Sequence, residues 1–315
     1  MQWNDFIYCM VSMSIAGNIG WILFMLMQKA LRLIRLELAA LKTVIMLFLV
    51  PVVYPLLCLS RLRIAGGKWV MINILGSYTP MEVDSVFRLA SFIWAIVLAV
   101  GISIRTYQYM RFQNLIKQST PLEDSEWKEL VESYSKRYLI EPVKIYYNEK
   151  LRSPMVVGMN KPMIVLPDKV FDRKQKCMII EHELYHIQNK DILWKKIAMW
   201  VTLIHWYNPF AYWLFERLIL EEEINCDLSV CNINPNYTVK EYGMFLYEGA
   251  VISEQYVFSS GLFEVGSELK RRITALSKRQ RMRRLSNRMV ALCCCLLFLC
   301  SEILAYVLCE CGIVY

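Results

Sequence analysis

Along the chain, long uninterrupted apolar runs flank a middle section whose apolar positions recur in short periods. A helix that crosses a bilayer needs roughly 20 mostly apolar residues. Four stretches meet that requirement: Phe6–Met27, Thr43–Leu59 with Leu38–Leu41 leading in, Phe87–Ile104 and Met289–Leu308. Trp3, Trp21, Trp94 and Tyr306 lie in or beside them, some near the depth where aromatic rings settle among headgroups. Pro51 and Pro55 predict a kink in the second stretch, which embedded helices tolerate when neighbours re-satisfy the freed carbonyls. The first stretch has no basic segment ahead of it and no A-x-A cleavage site, so it reads as an anchor and not as a signal peptide.

Between the third and fourth runs the pattern changes. Asp124 or Ser125 is placed to cap a helix whose apolar positions Trp127, Leu130, Val131 and Tyr134 follow the i, i+3, i+4, i+7 spacing of one helical face. Val143–Tyr147 reads as a strand, and Pro154–Gly158 and Pro162–Leu166 read as two more, joined as a hairpin through Met159, Asn160 and Lys161. A long helix is predicted over about Arg173–Lys190. The expected fold is a multi-pass α-helical membrane protein with an inserted α+β domain. Residues 1–105 would carry three transmembrane helices, 106–286 the inserted domain, and 287–315 a fourth transmembrane helix with a short external tail.

Composition agrees with this division. The 315 residues are 56% hydrophobic and 20% charged, which excludes a disordered chain, a collagenous chain and a small disulfide scaffold. The net charge of +8 is what basic residues beside membrane spans produce. Lys29, Arg32, Arg35 and Lys42 follow the first run, and Lys270–Arg288, the most basic segment, precedes the last. Placing both inside puts the N-terminus outside and the inserted domain in the cytoplasm, although Arg61, Arg63 and Lys68 of the second loop then lie outside. The expected location is the cell membrane, with the lipid bilayer as a partner. Lys270–Arg288 reads as a topology signal or an anionic-lipid contact, and no direct nucleic-acid partner is expected. Of the eleven cysteines none forms a CxxC pair, which removes a zinc ribbon or thioredoxin-like site. Cys177, Cys226 and Cys231 read as reduced packing residues.

The long helix carries the candidate chemistry. Two of the three histidines, His182 and His186, stand at i, i+4 with Glu183 between them. That spacing puts both imidazoles on one face, one turn apart, within reach of a single zinc ion. Glu183 is placed to act as general base. A hydrolytic zinc requires a third protein ligand, for which His205, Glu216, Glu221, Glu222, Glu223 and Asp227 are candidates. Ile197–Phe215 has nineteen residues without a formal charge and would pass for a further span. If it crossed, the acidic candidates after it would stand ~30 Å from the histidines, across the bilayer. It is therefore expected to be a hairpin broken at Asn208-Pro209, with a return helix over roughly Pro209–Val230. On that helix Glu223 and Asp227 share a face at i, i+4, so that one can bind the metal while the other hydrogen-bonds a ligand imidazole.

HELYHIQNKD, HWYNPFAYW and EEEINCD, with SPMVVGMNKPMIVLP (Ser153–Pro167) upstream, resemble the membrane zinc metallopeptidases of the BlaR and MecR signal transducers. More distantly they are similar to the HtpX-like and CAAX-prenyl endopeptidases. The resemblance runs from about Leu130 to Ile273. It implies a gluzincin-like domain with zinc held by His182, His186 and Glu223, Glu183 as general base and Asp227 as a supporting carboxylate. It also implies a signal transducer, of antirepressor type, that cleaves a cytoplasmic protein such as a transcriptional repressor, or itself. The β-lactam-sensing members carry an external penicillin-binding domain after the last span, and the segments expected outside the membrane hold no S-x-x-K motif for acylation. An input through Ser60–Val86, the spans or a partner is expected instead.

Other residues carry blander expectations. His205 reads as a hairpin-packing histidine, Asp191 as a helix-end or network carboxylate, Tyr185 as core, and Ser259–Gly261 as loop. An extended substrate could pair with the edge of the Met155–Leu166 hairpin. Two rival functions remain: a non-proteolytic receptor or scaffold with structural zinc, and a housekeeping membrane protease. An intact Glu183 speaks against the first, and the few polar residues in the spans, with Asn18 the main one in the first span, speak against the second.

Overall fold

The computed structural model describes residues 3–31, 34–50, 80–233, 237–254, 262–277 and 286–311. It is mostly helical. Helices α1 (Trp3–Leu31), α2 (Ile34–Leu47) and α3 (Pro80–Ile116) come first, and α10 (Asn287–Cys311) comes last. Among the described residues three helical stretches are long and apolar enough to cross a membrane: Met10–Gln28, Arg88–Ile116 and Arg288–Ala305. The predicted second span is described only in part. Helix α2 ends at Leu47, and the remainder of the predicted span, with Pro51 and Pro55, lies outside the described residues, as do Ser259–Gly261 and 60–79 of the loop expected to be external.

The chain divides into two compact units, one of residues 1–105, 197–216 and 283–315, the other of 106–196 and 217–282. In the first, α1, α2 and α10 pack on one another. Two glycines allow the close approach: a Cβ on Gly17 would stand 2.5 Å from the Phe48 ring, and one on Gly20 2.5 Å from Leu47. The nineteen-residue uncharged segment is bent, not straight. Helix α6 (Asp191–Ile204) stops before a turn, and α7 (Pro209–Ile233) begins on proline. Asn208 caps α7 by accepting from the Phe210 amide at 3.0 Å, and proline at the first helical position wastes no amide. His205 lies buried in this turn, with Nδ1 2.9 Å from Ser14 Oγ and Nε2 2.8 Å from the Phe48 carbonyl. Both ring nitrogens are engaged, as a packing histidine requires.

The second unit holds a four-stranded sheet in the order β1-β2-β4-β3, from β1 (Thr120–Pro121), β2 (Lys144–Tyr147), β3 (Met155–Val157) and β4 (Met163–Leu166). Strand β4 runs parallel to β2, pairing Ile145 with Ile164, and antiparallel to β3, pairing Val156 with Ile164. The expected hairpin is thus β3–β4, and β3 is the outer strand. Gly158 turns the chain there at φ +93°, a backbone conformation natural only to glycine.

Helix α4 (Ser125–Tyr138) begins on Asp124, which accepts from the Glu126 amide. Helix α5 (Arg173–Gln188) begins on a capping box between Asp172 and Gln175; such caps satisfy orphan amides and stabilise by about 1 kcal/mol each. The two helices pack together over the sheet. Trp127, Leu130, Val131, Ile145, Ile164, Leu166, Phe171, Ile179, Ile180 and Leu184 form the core, and burial of each such side chain contributes about 1.5–3 kcal/mol. This core fixes α5 and leaves His182, Glu183 and His186 to face a cleft.

Candidate active site

A cleft of about 440 Å³ is lined by the three motif residues of α5, by Met155 and Val156 of β3 and by Pro154 just before that strand. Helices α6 and α7, with α8 (Val239–Glu254) and α9 (Leu262–Ser277), supply Asp191, Lys195, Glu223, Phe245, Glu268 and Arg272 to its wall.

The imidazoles of His182 and His186 meet through their Nε2 atoms at 3.1 Å. Glu223 reaches both: Oε2 is 3.4 Å from His182 Nε2, and Oε1 is 3.5 Å from His186 Nε2. The opposite ring nitrogens have their own partners. His186 Nδ1 lies 2.8 Å from Asp191 Oδ2, and His182 Nδ1 lies 3.0 Å from the Tyr242 hydroxyl. Tyr242 in turn donates to Asp227 Oδ1 at 3.0 Å. A carboxylate only accepts, and a hydroxyl that has given its proton away accepts from the ring. With each ring neutral, both histidines carry the proton on Nδ1 and present a lone pair at Nε2. Two ring nitrogens and two carboxylate oxygens then face one another, and either a cation or a second proton on a ring must lie among them.

A second grouping could also hold an ion: His182, His186 and Cys226 bring ligand atoms within 4.8 Å of one another. Cys226 Sγ is 3.2 Å from His182 Nδ1, on the far side of the ring from His186, and donates to the His182 carbonyl at 3.3 Å.

Charges are distributed unevenly around the cleft. Glu183 is buried, and desolvation pushes its carboxyl above the usual range against the pull of His182 and His186. For Glu223 burial acts in the same sense, yet the His182 hydrogen bond and the charges of His186, His182 and Arg272 carry it well below that range. Lys195 Nζ lies 3.5 Å from Glu223 Oε1 and 3.8 Å from Glu222. Arg272 grips the fully buried Asp227 through Nε at 2.7 Å and NH2 at 2.8 Å, with NH1 3.4 Å from Glu223 Oε2.

Of the sequence candidates, His182, Glu183, His186 and Glu223 come together in the cleft. Asp227 stands beside them, but its nearer oxygen is 3.6 Å from His182 Nδ1, and Tyr242 bridges the gap. The carboxylate in direct hydrogen-bond contact with a motif imidazole is instead Asp191. Glu221 pairs with Arg217 one turn earlier on its own helix, and Glu216 faces outward. Tyr185 accepts a hydrogen bond from Asn225 at the edge of the core. Sequence reasoning missed Tyr242, Lys195, Arg272 and the position of Cys226. Arg272 was hidden inside a basic run; its i, i+4 relation to Glu268 on an amphipathic helix was the available signal. Nothing in the sequence marks Tyr242.

A family model described as BlaR1 peptidase M56 matches residues 70–276. The regulatory protein BlaR1 of Bacillus licheniformis is 23% identical over 190 residues, which is 58% of this chain and 32% of that protein. The methicillin resistance mecR1 protein of Staphylococcus aureus is 28% identical over 137 residues, 42% of this chain and 23% of the relative. The regulatory protein BlaR1 of Staphylococcus aureus is 28% identical over 161 residues, 49% and 27% of the two chains. The chain thus spans a third or less of the length of these relatives. With the family model covering well over half of the residues, histidine motif and acidic helix included, the chain belongs to the BlaR1 peptidase M56 family.

Proposed function

We propose that the protein is a multi-pass membrane zinc endopeptidase of gluzincin type, in which His182, His186 and Glu223 hold the metal and Glu183 is the general base. The observation that carries this reading is the triangle of Nε2, Nε2 and carboxylate oxygen with edges of 3.1, 3.4 and 3.5 Å. Ligands at about 2.0–2.1 Å from a tetrahedral zinc stand about 3.3–3.4 Å apart. Cys226 is the weaker candidate as a ligand. Burial pushes its thiol well above the usual range, the thiol proton is committed to a carbonyl, and zinc takes thiolate, not thiol.

Zinc held there would supply Lewis acidity toward a peptide carbonyl and toward water. The protein's own residues do the rest. Glu183, with its proton affinity raised by burial, accepts a proton from the attacking water on its carboxylate. It then delivers that proton to the amine nitrogen as the C–N bond breaks. Asp191 and Tyr242 keep the two imidazoles in the Nδ1–H form. The outer edge of β3 offers unpaired backbone groups to an extended peptide along the cleft wall.

In this reading residues 1–105 and 287–315 anchor the chain, and the domain of 106–286 faces the cytoplasm. The relatives are named as regulatory and resistance proteins, which supports a signalling role with a repressor-like protein, or the chain itself, as substrate. Glu183→Gln keeps the shape of the side chain and removes the base. The variant should retain bound metal and lose at least about 10²-fold in hydrolysis of a fluorogenic peptide pool. Cleavage at the parent rate by the metal-loaded variant would refute the mechanism.

A further inference from the structure

We infer that Arg272 is the positioning residue of this centre: its single guanidinium fixes Asp227 and Glu223, one helical turn apart on α7, in the arrangement that turns both Glu223 oxygens toward the histidine Nε2 atoms. The inference rests on the metal reading given above and adds to it a residue that no motif marks.

The geometry divides the guanidinium into two jobs. Nε and NH2 form a two-point fork on Asp227 at 2.7 and 2.8 Å, while NH1 reaches Glu223 Oε2 at 3.4 Å. Asp227 is fully buried, and a buried carboxylate is tolerated only with a cation and hydrogen bonds around it. With Arg272 on Oδ2 and Oδ1, and Tyr242 also on Oδ1, Asp227 is locked. The locked Asp227 then holds Tyr242 against His182 Nδ1. Arg272 therefore acts on two of the three proposed ligands, on Glu223 through NH1 and on His182 through Asp227 and Tyr242. Lys195 from α6 faces Glu223 Oε1 at 3.5 Å, so the two oxygens are bracketed by two different cations. Neither can swing away from its histidine without leaving a charge partner.

The local sequence pattern supports a role apart from the basic run. Lys270 and Arg271 are exposed, whereas the Arg272 side chain is 17% exposed. A lysine could not replace it, since a point charge with no planar fork cannot serve Asp227 at two oxygens and Glu223 at a third. Arg272 also comes from α9, 45 residues beyond Asp227, so the centre is complete only while α9 is docked.

The test uses the full chain in detergent, with Co²⁺ as a spectroscopic substitute for zinc. Cobalt affinity is measured by chelator competition, the visible ligand-field band reports coordination, and far-ultraviolet circular dichroism reports folding. Arg272→Gln and Arg272→Lys should each weaken cobalt binding by roughly 10–100-fold, the usual range for loss of a residue that orients a ligand, and should shift the band in a folded chain. A folded variant with parental affinity and an unshifted band overturns the inference. If Arg272→Gln fails to fold because Asp227 is left as a lone buried charge, Asp227→Asn/Arg272→Gln removes that charge. The same loss of affinity is expected there, and parental affinity overturns the inference. An unmutated chain that takes up no cobalt overturns the metal reading itself, which separates the two failures.

Discussion

Asp191 offers the most direct test of how the protein controls its histidines. Its carboxylate accepts from His186 Nδ1 at 2.8 Å and is almost wholly buried, so water offers little substitute. A hydrogen bond to a charged group contributes about 1.5–3 kcal/mol, against about 0.5–1.5 kcal/mol between neutral partners. Asp191→Asn keeps an oxygen in place and loses the charge, a difference of about 1–1.5 kcal/mol. Since about 1.4 kcal/mol is a tenfold change in an equilibrium constant, metal affinity should fall roughly tenfold. Asp191→Ala also leaves the Nδ1 proton without this acceptor and frees the ring to change tautomer, so the loss should approach 100-fold, the upper range for such partners. Asp191 opens α6, where an acidic side chain favours the helix N-terminus, so melting of the metal-free chain is followed alongside and subtracted. Chelator competition at fixed pH gives the affinities. Parental affinity in Asp191→Ala, or an Asp191→Asn variant as weak as Asp191→Ala, would sink the argument that this bond sets the tautomer.

Two further outcomes are expected from the scaffold. Gly158→Ala would place a Cβ 2.5 Å from the Lys161 carbonyl oxygen at φ +93°; the left-handed backbone alone costs about 1–2 kcal/mol. A drop in melting temperature of several degrees is expected, at roughly 2–4 °C per kcal/mol, and an unchanged melt refutes the strain. Glu241 at the start of α8 is held down to about 2 by its Lys174 hydrogen bond and by the Thr238 amide and hydroxyl. A depressed carboxylate stabilises the fold above its unfolded value, and that contribution disappears as pH falls through the folded one. The melting difference between the parent and Glu241→Gln should therefore be constant from pH 7 to pH 5 and close between about 4.5 and 2. A difference that stays open at pH 2 refutes it.

Several features were readable before any coordinates. The helix face of Trp127, Leu130 and Val131, the β3–β4 hairpin and the break at Asn208-Pro209 all follow from local rules of periodicity, turn chemistry and proline sterics. Distance gave a second reason to expect the break, because a straight crossing of a bilayer would separate the acidic candidates from the histidines. Less legible was the choice among Glu221, Glu222 and Glu223. Consecutive helical residues point about 100° apart, so only one of three neighbours can face α5, and which one depends on how α7 is rotated against it.

The sequence by itself determined the parts whose causes are local: the apolar runs, the paired histidines one turn apart, the glutamate between them, and the acidic helix that returns after the bend. Tertiary structure alone decided the surroundings that give those parts their chemistry. Tyr242 stands 60 residues from His182, Arg272 stands 45 from Asp227, and Lys195 meets Glu223 from another helix. Contacts at such separations leave no periodic trace, because they arise when core burial brings helices together and not from any rule along the chain. Burial pushes both carboxyls up, but at Glu183 it prevails, whereas the groups around Glu223 carry that carboxyl well below the usual range. That difference lies in solvent access and nearby charge, which belong to the folded arrangement and to no residue alone.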